Sequence, residues 1–216
     1  MSLLYEPHVF TTLSKYHAVT DILEKAKPDR DYYVLLLGAI LLAVGAILTD
    51  SIPVLIASMI VAPLASPILA LGLGITSGRW KIIGRALALL ALSSIIALLV
   101  AMGTAILLKN DRVPDILISF NSSRTIAVLV AVVSGVIAAY GTMRPKVNSA
   151  ATGVAIAVSL MPPLVATGIG LAPGGTPFAG ALSLYLLNIA GMAISSALTF
   201  AVFGVGKAVR LHFGRY

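Results

Sequence analysis

The sequence predicts an all-α integral membrane protein with six transmembrane segments. These form two inverted three-helix repeats, the second helix of each repeat kinked or broken at proline. Three observations carry this expectation. Of 216 residues, 59% are hydrophobic and only 11% charged, with mean hydropathy +1.03, whereas soluble domains carry about 25% charged residues. The apolar residues collect in long runs. Two of those runs, SMIVAPLASPILALGLG (Ser58 to Gly74) and AVSLMPPLVATGIG (Ala157 to Gly170), place prolines at their centres.

Residues 1–31 are polar and mixed in charge, without a signal-peptide pattern. Within them Val9, Leu13, Tyr16 and Leu23 recur at helical spacing after Pro7, which suits a first turn. Lys15, Lys25 and Lys27 would meet anionic headgroups while the apolar stripe lies at the membrane interface. A small cytosolic helix packed on the membrane domain is the alternative. A bilayer core of roughly 30 Å then needs about 20 apolar residues per helix. Tyr32–Leu48, a short span that gains a turn from its neighbours, is followed by Ile52–Ile75 and Ile82–Leu108; together they make repeat 32–108. Residues 109–124 form an external connection, which includes an Asn121-Ser122-Ser123 sequon. Thr125–Met143, Ala150–Ala172 and Phe178–Val205 make repeat 125–206, and 207–216 form a cytoplasmic tail. Continuous runs without alternation exclude a β-barrel.

Lys and Arg set the orientation. Taking the connections alternately, twelve of the fifteen basic residues fall on one side, and Lys109, Arg112 and Arg124 on the other. Both termini are therefore expected in the cytoplasm, the protein lying in the cell membrane. The net charge of +7 follows mostly from topology, so no nucleic-acid partner is needed to explain it.

The halves repeat. A shift of 96 residues carries Pro67 onto Pro163, Ala70 onto Ala166, Gly72 onto Gly168, Gly74 onto Gly170 and Gly84 onto Gly180. With a two-residue slip Thr49-Asp50-Ser51 meets Val147-Asn148-Ser149, each an Asx-Ser pair before an apolar run that suits a helix N-cap. Three spans per unit is an odd number, so the second copy enters from the opposite face, as in many transporters.

Pro63 donates no hydrogen bond to the Met59 carbonyl, and Pro67 none to that of Pro63. Pro162 and Pro163 likewise free the carbonyls of Val158 and Ser159. A proline inside a helix costs about 3 kcal/mol, and in hydrocarbon the freed groups need protein or water. Hence these segments are expected to break with irregular backbone turned inward, or else to be kinks satisfied by hydroxyls such as Ser66 and Ser159.

The segments DSIPVLIASMIVAPLASPILALGLG, ATGVAIAVSLMPPLVATGIGL and LYLLNIAGMAISSAL resemble the hallmark segments of the domain of unknown function 389 family. That family is also described as the uncharacterized hydrophobic domain of bacteria and archaea. The resemblance covers about Tyr32 to Gly206. It implies a prokaryotic membrane protein and no particular substrate. Asp50 stands where similar proteins lead one to expect Asn.

The spans carry little catalytic equipment. His8, His17 and His212 all lie in the terminal segments, and there is no cysteine. A Ser-His dyad, a His-based metal site or paired carboxylates are hard to assemble in the membrane, so neither an enzyme nor a cofactor is expected. The polar residues are neutral. Ser58, Met59, Pro63, Ser66 and Pro67 of the first copy, Val158, Ser159, Pro162, Pro163 and Thr167 of the second, and Asn188 are the candidate pathway residues. Asp50 and Ser51 are candidates for an external ion site or a cap. Freed carbonyls and hydroxyls would suit a weakly bound monovalent ion or a neutral polar solute rather than a divalent cation. Asn188 alternatively serves as interhelical glue. Ala39, Ala43 and Ala46 share one helix face, as do Gly191, Ser195 and Thr199, allowing close packing within or between subunits. A homo-oligomer embedded in lipid is expected. Transport or conduction leads the functional expectations, and a structural or partner-binding membrane module is its rival.

Overall fold

The computed structural model describes residues 12–108, 124–144, 149–173, 179–207 and 209. The 109–123 connection with its sequon, Asn148, and the residues before 12 and after 209 lie outside these. The described chain is all helix: α1 (Thr12–Lys25), α2 (Arg30–Leu48), α3 (Ile52–Val61), α4 (Ala65–Ser77), α5 (Trp80–Leu108), α6 (Arg124–Thr142), α7 (Ser149–Gly170) and α8 (Ala179–Val202). Helices α2, α5, α6 and α8 are long and apolar enough to cross a bilayer, and the pair α3–α4 qualifies when taken as one bent span. Large apolar side chains such as Leu41, Leu99, Leu129 and Leu198 face outward. This is an all-α protein of multi-pass membrane type.

Helix α2 starts at Asp29, whose Oδ1 accepts from Tyr32 N at 2.8 Å and caps the first turn. It ends in a tight reversal. Asp50 has φ +52, and Ser51 N donates across it to Ala46 O at 2.8 Å. A left-handed residue bridged in this way is the usual way to close a helix C-terminus. Asp50 thus terminates α2, which corrects its expected place as the N-cap of the following helix. Ser51 occupies that N-cap position but makes no side-chain cap bond.

Proline acts differently in the two central segments. Before Pro63, Ala62 is held extended at φ −62°, ψ 125°, because the proline ring disfavours helical backbone in the preceding residue. The chain leaves α3 there and resumes as α4 with a bend of 52°. Pro67 breaks nothing. It sits in the first turn of α4, where its missing N–H has no intrahelical acceptor to lose. The expected break of the second copy is also corrected, since α7 runs on as one helix through Pro162 and Pro163. Its stretch from Leu160 to Gly170 is buried throughout, and α2, α3, α4, α5, α6 and α8 all pack against it. That enclosure holds the helix where proline alone would have interrupted it.

Close approaches lock the remaining helices. A Cβ on Gly135 of α6 would collide with Ser195 and fall 2.7 Å from Met192 O, while one on Gly191 would fall 3.2 Å from Ala131 Cβ. Gly191 and Ser195 therefore pack within the subunit, against α6. Ala39, Ala43 and Ala46 are likewise fully buried inside it. Helix α1 packs on α4, with burial centred on Ala18, Val19 and Ile22; Leu23 lies against that core and Tyr16 is half-buried. The stretch after α8 returns to the same end, where a Cβ on Gly204 would lie 3.8 Å from Lys15 Nζ and one on Gly206 3.6 Å from Thr76 O.

Candidate functional site

One buried polar contact joins α7 to α8. Pro163 leaves the Ser159 carbonyl without its helical donor, and Asn188 on α8 supplies one: Nδ2 donates to Ser159 O at 2.6 Å. Asn188 is only 3% exposed and Ser159 8%. The bond fixes the amide orientation, since the flipped form would set two acceptors against each other. It also leaves a remainder. Among the described residues neither Asn188 Oδ1 nor Ser159 Oγ, both buried, has a hydrogen-bond partner. A buried polar atom left unpaired costs about 1–3 kcal/mol, so each of the two atoms would gain from a partner. An amide oxygen and a hydroxyl are hard, neutral oxygen donors, without a formal charge to hold a divalent ion.

The other candidate residues divide into two groups. Thr167 Oγ1 donates to Pro163 O at 2.7 Å, and Ser58 Oγ to Leu55 O at 2.6 Å, each within its own helix. Those hydroxyls soften the helix interior and still offer lone pairs. Ser58, Met59 and Pro67 are buried, and Pro63 and Ser66 half-buried. Since α3 and α4 both pack on α7, the 62–64 break and the Pro162–Pro163 pair lie on adjoining helices. Val158 lies on α7 one residue before Ser159. Asp50 and Ser51 stand apart, in the α2–α3 turn.

Two hydroxyl pairs escaped notice in the sequence. Tyr32 Oη and Ser93 Oγ lie 2.9 Å apart, joining α2 to α5, and Ser94 Oγ and Tyr185 Oη lie 2.6 Å apart, joining α5 to α8. Adjacent serines inside the apolar run LALSSIIALL were the available signal. What they bond to is a matter of packing. Among the described residues no three His, Asp or Glu side chains converge on one point.

Two glycines of the core make close approaches to α8 and α5. Gly72 of α4 faces Ser196 and Ala197 of α8, where an added Cβ would lie 3.2 Å from Ala197 N. Gly168 of α7 faces Leu98 and Ala101 of α5, where an added Cβ would lie 2.7 Å from Ala101 Cβ. Thr76 Oγ1 reinforces the first contact by donating to Ala197 O at 2.7 Å.

Residues 59–194 match the family described as Domain of unknown function (DUF389). An uncharacterized protein of Methanocaldococcus jannaschii is 29% identical over 206 residues, which is 93% of this chain and 62% of the relative. The chain therefore spans a little under two thirds of that relative's length. No solved structure matches.

Proposed function

The chain belongs to the domain of unknown function 389 family, and from that premise we propose that it passes a small monovalent ion or small polar solute across the cell membrane. The path runs between two inverted three-span repeats, beside Ser159 and Asn188. The observation that carries the proposal is the buried pair of unpartnered oxygens, Asn188 Oδ1 and Ser159 Oγ, next to a carbonyl freed by Pro163.

The inverted repeat rests on the reciprocal glycine contacts. The same 96-residue shift that aligns the sequence halves carries Gly72 onto Gly168 and Ala101 onto Ala197. A two-fold relation turns a contact between one position in the first copy and another in the second into its exchanged partner. Gly72 against Ala197 and Gly168 against Ala101 are such a pair. The helix contacts follow the same exchange, α4 packing on α8 and α5 on α7. Six spans follow when α3–α4 and α7 are each counted once. Grouping of Lys15, Thr76, Gly204 and Gly206 at one end supports both termini sharing a side, and the distribution of Lys and Arg makes that side cytoplasmic. A homo-oligomer is proposed on the slimness of six spans. Its contact would fall outside the alanine and glycine faces, which are used within the subunit. Neither an enzymatic reaction nor a cofactor is part of the proposal.

A specific observation favours the rival, a membrane structural or partner-binding module: the Asn188–Ser159 bond seals the freed carbonyl, as interhelical glue would. Asn188→Leu and Pro163→Ala separate the two. Interhelical hydrogen bonds in membranes average about 0.6 kcal/mol and reach about 2, so Asn188→Leu should lower stability modestly. Under the transport proposal it abolishes most flux of a permeant monovalent ion or solute in liposomes, while the protein stays folded. Pro163→Ala returns an N–H to Ser159 O, raising the melting temperature and slowing flux. If both variants fold and carry solute at the wild-type rate, the transport site is elsewhere or absent.

A further inference from the structure

A cavity of about 500 Å³ opens between the α1–α2 turn, α2, α4 and the first turns of α5, away from Asn188. We propose that it binds an anionic phospholipid, with the headgroup phosphate held by Lys81, Arg85 and Lys27. The acyl chains would run along α5 over Ala88, Leu89 and Leu92.

The order of residues along α5 carries the assignment. Lys81, Arg85, Ala88 and Leu92 follow one another at spacings of three or four and line the cavity from its cationic end to its apolar end. With 1.5 Å per residue, the stripe is about 16 Å long. A free anion would use only its first turn, and a neutral apolar molecule only its last two. A diacyl lipid with a charged head uses the whole of it.

The charges are available. Lys25 is held by Asp21 at 2.9 Å, and Lys27 is only loosely matched by Glu24 at 3.8 Å, both side chains of that pair being largely exposed. Among the described residues neither Lys81 nor Arg85 has a carboxylate within salt-bridge distance. Arg supplies a planar fork that suits phosphate oxygens, and Lys a point charge. The depth in the bilayer also fits. Trp80, 82% exposed beside Lys81, marks the headgroup level, where tryptophan concentrates. Leu92, 45% exposed, leaves the other end of the cavity open to the surrounding acyl chains. Tyr33 and Ala70 close the inner wall. Basic pockets between membrane helices recognise anionic headgroups by this arrangement, and the volume lies within the range of about 300–1,000 Å³ usual for small-molecule sites. A bound lipid would tie α1 to α5 and α4, so occupancy should be read in stability as well as in mass.

Native mass spectrometry of the full, delipidated protein in detergent tests this, with dioleoyl phosphatidylglycerol and dioleoyl phosphatidylcholine as matched probes. The expected result is about fivefold more bound phosphatidylglycerol at equal concentration, with a higher melting temperature only for the anionic lipid. Lys81→Gln with Arg85→Gln should bring phosphatidylglycerol down to the phosphatidylcholine level, whereas Lys207→Gln, outside the cavity, should leave the preference intact. Ala88→Phe, which fills the apolar end and keeps every charge, should also weaken phosphatidylglycerol. Equal binding of the two lipids overturns the proposal, as does a preference that survives the double variant. So does full displacement of phosphatidylglycerol by millimolar inorganic phosphate, which would reveal a simple anion site.

Discussion

Asp50 stands in the turn between α2 and α3. An Asx-Ser pair before an apolar run has the composition of an N-cap. At φ +52 the residue instead closes the preceding helix, a position where glycine or asparagine has the lower backbone cost. Asp50→Gly should therefore raise stability by about 1 kcal/mol, measured as melting temperature in detergent, with flux unchanged. A folded Asp50→Gly protein that has lost transport would return Asp50 to the list of ion ligands. Asn188 was legible in the sequence, because a carboxamide amid leucines must find a partner. That Pro163 frees the Ser159 carbonyl also followed from proline chemistry; that Asn188 would be the residue to reach it did not. Which amide atom would be left over depends on which neighbour reached that carbonyl first.

At the scale of helices, the two proline-bearing segments looked alike and folded differently. Pro63 forces Ala62 out of helical backbone at a place where α3 is exposed on one side, so the chain can turn. Pro162 and Pro163 sit in a helix packed on all sides, where a bend of the α3–α4 kind would have to displace neighbours. Glycine positions show the same dependence on surroundings. Gly72, Gly168 and Gly84 all align with a glycine in the other half of the sequence, but only the first two are places of close approach. An added methyl meets Ser196 at Gly72 and Ala101 at Gly168, and nothing within 4 Å at Gly84. Gly72→Ala and Gly168→Ala should each cost about 1–3 kcal/mol, as overpacking does. Gly84→Ala should be neutral or slightly stabilising, because alanine is the better helix former. Thermal unfolding of the three variants in one detergent checks this. Equal effects would mean that the α4–α8 and α5–α7 crossings are looser than they stand here.

For the molecule as a whole, orientation is the property most directly open to experiment. The native chain has no cysteine, so a single introduced thiol reports its own side. Lys81→Cys should react with an impermeant maleimide only after the membrane is opened. Ala172→Cys, beyond the end of α7, should react in intact cells. Labelling of residue 81 from outside would reverse the topology, and labelling of both from outside would end the count of six spans. An experimental structure should further superpose 32–108 on 125–205 about an axis in the membrane plane. Failure of that superposition would leave the Gly72–Ala197 and Gly168–Ala101 contacts as coincidence.

The sequence by itself determined the class, an all-α chain of membrane type. Runs of apolar residues as long as a bilayer is thick leave helices as the structure that can satisfy their own backbone. The matching offsets of Pro67 with Pro163 and of Gly72 with Gly168 can also be read from the sequence. The tertiary structure alone decided which prolines bend the chain, which oxygens stay unpaired, and which cations line a cavity with apolar residues from other helices. Each of those depends on what lies across the helix at 3–4 Å, and a neighbour 30 or 120 positions away leaves no local trace in the residue it touches. Asn188 and Ser159 are such a pair, and so are Thr76 and Ala197.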